Sequence, residues 1–395
     1  MTSAVPEPLA VPAGPDVLGL LPRLESALSG GRPVMPHAHD EPAPALPDPV
    51  LPGDLPDGLA LAIGTSGSTG RPKRALLTAE ALRRSADATH ESLGGSGAWL
   101  LAMPAHHIAG LQVLLRSVAA GTVPAVLDLR PGFTPEAFVA AAREVRPSAG
   151  AGRRYTALVP TQLGRILEHP AATEALAGFD AVLVGGAATA SSTLARARRA
   201  GIPLRLTYGM SETAGGCVYD GSPLPGSRVH IDNDHHVVLG GDTVAHGYLG
   251  DPERTADSFS VDPDGVRWFR TDDLGHFDDD ERLVIDGRAD DVINSGALKV
   301  TPGVVEDAML RHLPEVHDVV VVGVPDPEWG EIVCAAVTLA DPAATVDEAG
   351  LRERLRGILP DAALPRRVLV VTSIPQRGPG KPDRAAIRRA VLADG

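Results

Sequence analysis

A chain of 395 residues exceeds what one hydrophobic core usually organises, so two domains are expected, and a net charge of −14 with no basic run excludes a nucleic-acid surface. Cys217 and Cys334 stand alone and far apart, which excludes a disulfide framework and a zinc cluster and suits a reducing cytosol. No apolar run approaches about 18 residues and no basic start precedes an apolar block, so we expect neither membrane insertion nor a signal peptide, and a cytoplasmic protein.

Taken in chain order, residues 1–15 and 33–58 are rich in Pro and Ala and read as extended, poorly ordered or surface-running chain. Between them DVLGLLPRLESALSGG reads as one amphipathic helix ended by Gly30. LALAI (59–63) is a short apolar strand that delivers the chain into TSGSTGRPK (65–73), and KRALL (73–77) is a strand leaving it. Thr78 offers an N-cap to a helix reaching about Leu93. AWLLAM (98–103), VPAVLDL (123–129), TALVP (156–160), AVLVGG (181–186) and PLRLTYG (203–209) are buried-strand candidates with helical stretches between several of them. That rhythm predicts an α/β fold with substantial parallel sheet, in which ligands gather outside the carboxyl ends of the strands. Further on, FDDDERLVI reads as a hairpin turn, and the glycine and acid cluster at 286–291 as a domain boundary. VHDVVVVGVPDPEWGEIVCAAVTL reads as two strands around a turn, DEAGLRERLRGIL as a helix, and PQRGPGKPDR (375–384) as a loop.

Lysine is rare in this chain: of 36 basic residues only Lys73, Lys299 and Lys381 are lysines. A compact point charge on a thin stem enters crowded sites that a guanidinium fork cannot, so these are three places to look for chemistry. In TSGSTGRPK, Gly67 and Gly70 let backbone amides turn toward an anion, Ser66, Ser68 and Thr69 add hydroxyls, and Lys73 adds charge; together they suit a polyphosphate, with a mobile surface turn as the alternative. Arg71 and Pro72 separate glycine from lysine, which rules out a Walker A loop. In TYGMSET (207–213), Glu212 lies among hydroxyls; a single carboxylate with phosphate oxygens is a common way to hold Mg²⁺, and a surface glutamate is the competing reading. The glycines of VGGAA (184–188) permit close approach of a flat ring or only a tight turn. PAHHIAG (104–110) places His106 and His107 after a strand, where a pocket wall is a better reading than a general base. Asp273 can accept two vicinal ribose hydroxyls, with Arg288 as a nearby donor. Lys381 on its own reads as a solvated loop lysine.

The order TSGSTGRPK, PAHHIAG, VGGAA, YGMSET, FRTDDLG, GRADDVI and GPGKPDR resembles the adenylate-forming superfamily of acyl-CoA synthetases, peptide-synthetase adenylation domains and luciferases, from about residue 59 to the end. The resemblance implies a large N-terminal α/β domain with mixed and parallel sheets, whose ATP- and acid-binding core is residues 59–287 and whose shortened start is 1–58. It also implies a small mobile α+β lid at 288–395. Thr65 to Lys73 would handle the ATP phosphates, Glu212 the Mg²⁺, Gly186, Ala187, Ala188 and Tyr208 the adenine, with Ser211 standing where threonine is common. Asp273 and Arg288 would hold the ribose, Asp290 would be the hinge, and Lys381 the catalytic lysine of the lid. His107, Gly110, Leu111 and Arg116 would lie near the acid, Arg116 either meeting a second carboxylate or sitting on the helix surface. Lys299 would belong to a second lid conformation. Where the family's pattern has Thr-Gly-Asp, this chain has Thr271-Asp272-Asp273, a second acid beside the ribose.

LPTQLGRIL, VLVGGAATASSTL and HHIAGLQVLLRSVAAG look like the short o-succinylbenzoate-CoA ligases of menaquinone biosynthesis, and the arginine-rich composition suits a GC-rich genome. That resemblance implies ATP, Mg²⁺ and the co-substrate CoA acting on a small carboxylic acid through an acyl-adenylate, and leaves room for a homodimer. A ligase for another aryl or fatty acid, or an enzyme loading a carrier protein, is the alternative.

Overall fold

The computed structural model describes residues 4–47, 55–65, 73–146, 152–296, 298–341, 343–378 and 381–393. Ser66, Gly67, Ser68, Thr69 and Gly70 of the expected phosphate loop lie outside them. Contacts divide the chain into one unit of residues 1–186, 196–230 and 238–271 and a second of 187–195, 231–237 and 272–395.

The first unit begins with a four-stranded sheet of β1 (Glu7–Val11), β2 (Val34–Ala38), β3 (Leu59–Gly64) and β4 (Arg74–Thr78), parallel except for the β3–β4 pair. This corrects the expectation of surface chain at both ends of the N-terminal segment, since Val34 and Met35 are fully buried. The signal is hidden because β2 contains Pro36; the strand meets β3 only at Val34, so no ladder bond is asked of the proline nitrogen on that side. The expected single helix is also two pieces, a 3-10 helix over Gly14–Leu20 and then α1 (Leu21–Leu28) with Pro22 in its first turn. A proline suits a first turn but cannot continue a helix, so the α-helix starts afresh there. After β4, Thr78 accepts a hydrogen bond from the Ala81 amide at 3.1 Å and starts α2 (Ala79–Ser92), as its sequence predicts.

The central sheet comprises β5 (Ala98–Leu101), β6 (Ala125–Val126), β7 (Arg154–Leu158), β8 (Ala181–Gly185), β9 (Leu204–Met210), β10 (Gly215–Tyr219) and β11 (Ser222–Pro223), in the order β11-β10-β9-β8-β7-β5-β6. Strands β5 to β9 run parallel and β10 turns back antiparallel to β9. Helices α3 (Ile108–Ala119), α4 (Pro135–Glu144), α5 (Pro160–Leu167), α6 (Pro170–Ala177) and α7 (Ser191–Arg199) fall between the strands. Both faces are covered: Trp99 and Leu101 pack in the core with α1, α2 and α3, whereas Leu100, Leu158 and Val182 pack with Phe138 of α4 and Leu163 of α5. Strands buried on both faces need continuous apolar runs, which is why they were visible as such.

A third sheet follows from β12 (Ser227–Ile231), β13 (His236–Gly241), β14 (Phe259–Val261), β15 (Arg267–Phe277) and β16 (Leu283–Arg288), with α8 (Pro252–Ser258) before β14. Strand β15 pairs with β14 along its first half and with β16 along its second, and the unit boundary falls within it.

The second unit is α+β. Its sheet holds β17 (Ile293–Ser295), β18 (Leu298–Val300), β19 (Val316–Asp326), β20 (Gly330–Leu339) and β21 (Arg367–Val370), with α9 (Pro302–His312) and α10 (Glu348–Leu355) on one face. The other face packs on Ile387 and Val391 of α11 (Arg384–Ala393). The β19–β20 hairpin carries half-buried Trp329, under which the Arg366 guanidinium lies 4.5 Å from the ring centroid. Ahead of α11 the expected loop contains a short hairpin of β22 (Gln376–Gly378) and β23 (Lys381–Pro382). Cys217 and Cys334 are free and buried, and burial pushes their thiols up to about 12 and about 11. Among the described residues no helix is long and apolar enough to cross a membrane.

Candidate active site

The carboxyl ends of β3 and β9 bring the first group of residues together. The base of the TSGSTGRPK loop is closed by a hydrogen bond from the Thr65 amide to the Lys73 carbonyl at 2.9 Å. Beyond β9 the chain makes a single 3-10 turn, Ser211–Thr213, before returning as β10. Gly209 permits that return, because a Cβ there would lie 2.2 Å from the Gly215 carbonyl oxygen. Ser211 Oγ donates to the Gly64 carbonyl at 3.0 Å, tying this turn to the residue that precedes TSGSTGRPK.

Glu212 is buried in the turn, 7% exposed, and held at both ends: its carbonyl accepts from the Ala245 amide at 2.7 Å and its Oε1 from the Tyr248 hydroxyl at 2.8 Å. Ala214 follows with φ of 54°, a left-handed conformation that costs an alanine free energy. Its carbonyl accepts from Ser85 Oγ of α2 and Gln112 Nε2 of α3, and those bonds hold the peptide against its strain. The Lys73 ammonium lies 5.3 Å from the centroid of the Tyr248 ring, within cation–π range. Thus Thr65, Lys73, Ser211 and Glu212 share one neighbourhood, and Tyr248 is its unanticipated member. The chain has only four tyrosines, so rarity, which singled out the lysines, is the signal by which it could have been found.

The register Gly185↔Thr207 sets Gly186 and Tyr208 side by side at the ends of β8 and β9. Gly186 adopts φ of +84° and is exposed, and Tyr208 is half-buried, an open ledge at the carboxyl edge of the sheet. Ala187 and Ala188 continue from it; Ala188 is exposed.

In the second unit Asp273 and Arg288 are register partners across β15 and β16, with Arg288 Nη1 3.5 Å from Asp273 Oδ1. Arg288 also meets Asp290 at 2.9 and 3.1 Å and Asp272 at 3.2 Å. Burial alone would lower its pKa; the hydrogen bond and charge of Asp290, then Asp273 and Asp272, outweigh burial and hold it above the usual guanidinium value. The second acid in Thr-Asp-Asp therefore has a partner in the fold. Asp291 meets Arg384 Nε at 3.3 Å, and Arg384 Nη1 meets Glu306 at 2.7 Å, an ionic group that ties the first residue of α11 to α9. Lys381 opens β23, three residues before that arginine, and Lys299 is exposed on β18.

The residues expected around the acid all belong to α3 and its N-cap. His107 is exposed at the start of α3, its ring centroid 4.2 Å from that of His106. Burial lowers the His106 pKa. Gly110 is required by packing, since a Cβ would lie 2.3 Å from the Pro104 carbonyl oxygen. Leu111 is fully buried in the core. Arg116 is not on the helix surface: at 3% exposure it lies over Trp99, 5.1 Å from the centroid, with Nη2 3.5 Å from the Tyr219 hydroxyl and Nε without a partner among the described residues. Tyr219 is the last residue of β10, at the end of that strand away from the Glu212 turn.

The chain matches the AMP-binding enzyme family over residues 19–249 and the AMP-binding enzyme C-terminal domain over 304–381. It is 44% identical over 389 residues, 96% of this chain and 97% of the relative, to a Mycobacterium tuberculosis protein named probable 2-succinylbenzoate–CoA ligase. Among solved structures it is similar to the amide bond synthetase McbA of Marinactinospora thermotolerans, with 32% identity and a TM-score of 0.73 over 85% of this chain and 70% of that one. It shares its fold with the o-succinylbenzoate CoA synthetase MenE of Bacillus subtilis, solved with the acyl-adenylate OSB-AMP, at a TM-score of 0.75 and 21% identity over 98% and 88% of the two chains. With the ordered motif series and these matches spanning nearly its whole length, the chain belongs to the adenylate-forming AMP-binding enzyme family.

Proposed function

We propose that this protein is an ATP-dependent, AMP-forming acid–CoA ligase whose acid is 2-succinylbenzoate (o-succinylbenzoate), acting in menaquinone biosynthesis. The observation that carries the reading is the 44% identity with the mycobacterial 2-succinylbenzoate–CoA ligase across 96% of this chain. In the first half-reaction an oxygen of the acid's carboxylate attacks the α-phosphorus of ATP, the bond to the bridging oxygen breaks and pyrophosphate leaves. Negative charge grows on the phosphate oxygens, so fixed cations contribute most in the transition state. Lys73 and the loop from Thr65 to Gly70 would hold the phosphates, and Lys381 would bridge the acid's carboxylate and the α-phosphate. Gly186, Ala187, Ala188 and Tyr208 would flank the adenine, and Asp273, steadied by Arg288, would accept the ribose hydroxyls.

Glu212 fits a magnesium ion that keeps most of its waters: it is one buried, oriented carboxylate, and no cluster of three or more His, Cys, Asp or Glu occurs among the described residues. Magnesium at that carboxylate would neutralise charge on the phosphate oxygens. In the second half-reaction the CoA thiol attacks the acyl carbon and AMP leaves. A turn of the lid about Asp290 would exchange Lys381 for that thiol's approach, with Lys299 belonging to the second arrangement.

The test is pyrophosphate release from MgATP and thioester formation over a panel of aryl and fatty acids. 2-Succinylbenzoate should have the highest kcat/KM. Lys381→Ala should lose adenylation by roughly a hundredfold or more while converting supplied acyl-adenylate and CoA to thioester at close to the original rate. Equal loss in both half-reactions would remove Lys381 from the assigned step. The likeness to an amide bond synthetase favours a second reading of the acceptor, an amine in place of CoA, and product analysis with each acceptor separates them.

A further inference from the structure

The segment from His246 to Leu249 runs along the free edge of β4. The His246 amide donates to the Leu76 carbonyl at 2.8 Å, the Leu76 amide to Gly247 at 2.9 Å, and the Leu249 amide to Arg74 at 2.9 Å. This antiparallel strip fixes Tyr248 opposite Ala75, two residues beyond Lys73. Gly247, at φ of +155°, lets the strip press against α8, since a Cβ would lie 2.4 Å from Thr255 Cγ2. Thr255 Oγ1 then accepts from the Tyr248 amide at 2.9 Å, and Phe259 meets the tyrosine ring edge-on with centroids 5.3 Å apart. Backbone and ring are both fixed, and Tyr248 is 5% exposed. Its hydroxyl is a donor to Glu212 Oε1 at 2.8 Å and its face meets the Lys73 ammonium at 5.3 Å.

We infer that Tyr248 is a positioning residue for the nucleotide site, its hydroxyl orienting the Glu212 carboxylate and its ring face the Lys73 ammonium. One rigid side chain thereby fixes the group proposed to meet magnesium and the group proposed to meet the phosphates. The inference rests on the roles of Glu212 and Lys73 given above and adds what holds them. It separates the two functions of one residue: the hydroxyl concerns the metal and the ring concerns the phosphates.

The test follows ATP binding, without acid or CoA, by the thermal shift that ATP produces at increasing Mg²⁺. Tyr248→Phe keeps the ring and loses the hydroxyl; the Mg²⁺ concentration for a half-maximal shift should rise roughly tenfold, the effect of one hydrogen bond to a charged group, and saturating Mg²⁺ should restore the full shift. Tyr248→Leu removes both contacts, and its ATP response should stay low at every Mg²⁺ concentration. A half-point for Tyr248→Phe within twofold of the unsubstituted protein overturns the inference. That variant keeps the packing with Phe259, so the outcome stands whether or not Tyr248→Leu folds. Glu212→Gln separates the failures. If it raises the Mg²⁺ requirement while Tyr248→Phe does not, only the role of Tyr248 falls; if it changes nothing, the metal reading falls and takes this one with it.

Discussion

Arg288 meets three aspartates, and the geometry ranks them. Asp290 takes two bonds at 2.9 and 3.1 Å and Asp272 one at 3.2 Å, whereas Asp273 sits at 3.5 Å. Asp272 is 67% exposed and Asp273 only 15%, so solvent screens the first far more than the second. The extra acid is thus a rim contact to the arginine, and Asp273 is the sheltered carboxylate, the one proposed to receive a ligand's hydroxyls. Asp272→Gly should change KM for ATP by less than about threefold, since exposed pairs contribute little. Asp273→Ala should raise it by roughly tenfold or more, the loss of hydrogen bonds to a charged acceptor. Steady-state kinetics on both variants decides the ranking; a larger effect from Asp272 would reverse it. The candidate site residues stand out in the sequence because each is an unusual residue in a glycine-rich setting: a rare lysine, or a carboxylate after an apolar strand. Their holders do not. The partner of Glu212 lies 36 residues away in sequence, and Ser85 and Gln112 look like ordinary helix residues until the fold brings them to Ala214.

At the scale of elements, the parallel strands could be read from sequence because burial on both faces demands uninterrupted apolar runs. Strands β1 and β2 could not, since each is five residues long and both lie among prolines that dominate any composition window. Of the two readings of Arg116, the helix-surface one failed for a related reason: the residue is buried by a ring face and a hydroxyl, contacts that leave no trace in periodicity. Helix starts were more legible, because an N-cap is a local bond. Thr78→Ala removes the acceptor for the Ala81 amide and should destabilise the first unit by about 1 kcal/mol, visible as a lower urea midpoint at unchanged slope. Retention of the original midpoint would mean that packing alone fixes the start of α2.

Across the whole molecule, one buried imidazole should give folding stability a distinct pH dependence. His90 of α2 accepts from Trp99 Nε1 at 3.4 Å, which requires an unprotonated Nε2. Burial, and next the positive charge of Arg116, lower its pKa from 6.5 to about 4, with Asp87 opposing them. A depressed histidine pKa means the folded state resists a proton that the unfolded chain accepts. The contribution is therefore fully present above pH 6.5 and is lost as pH falls toward about 4. By pH 5 the loss should reach ~2 kcal/mol. His90→Gln keeps an acceptor for Trp99 without a titrating proton, so the difference in unfolding free energy between the two proteins should change by that amount between pH 7.5 and pH 5. A constant difference would mean that His90 titrates normally in the fold.

The three tryptophans are distributed so that the protein carries its own optical labels. Trp99 is sealed in the core beneath a guanidinium and Trp268 is bonded to Asp262, both in the first unit, whereas Trp329 sits on the β19–β20 hairpin of the second. Replacing Trp99 and Trp268 by phenylalanine would leave one indole whose emission belongs to the second unit alone. Fluorescence could then time the events of that unit during turnover.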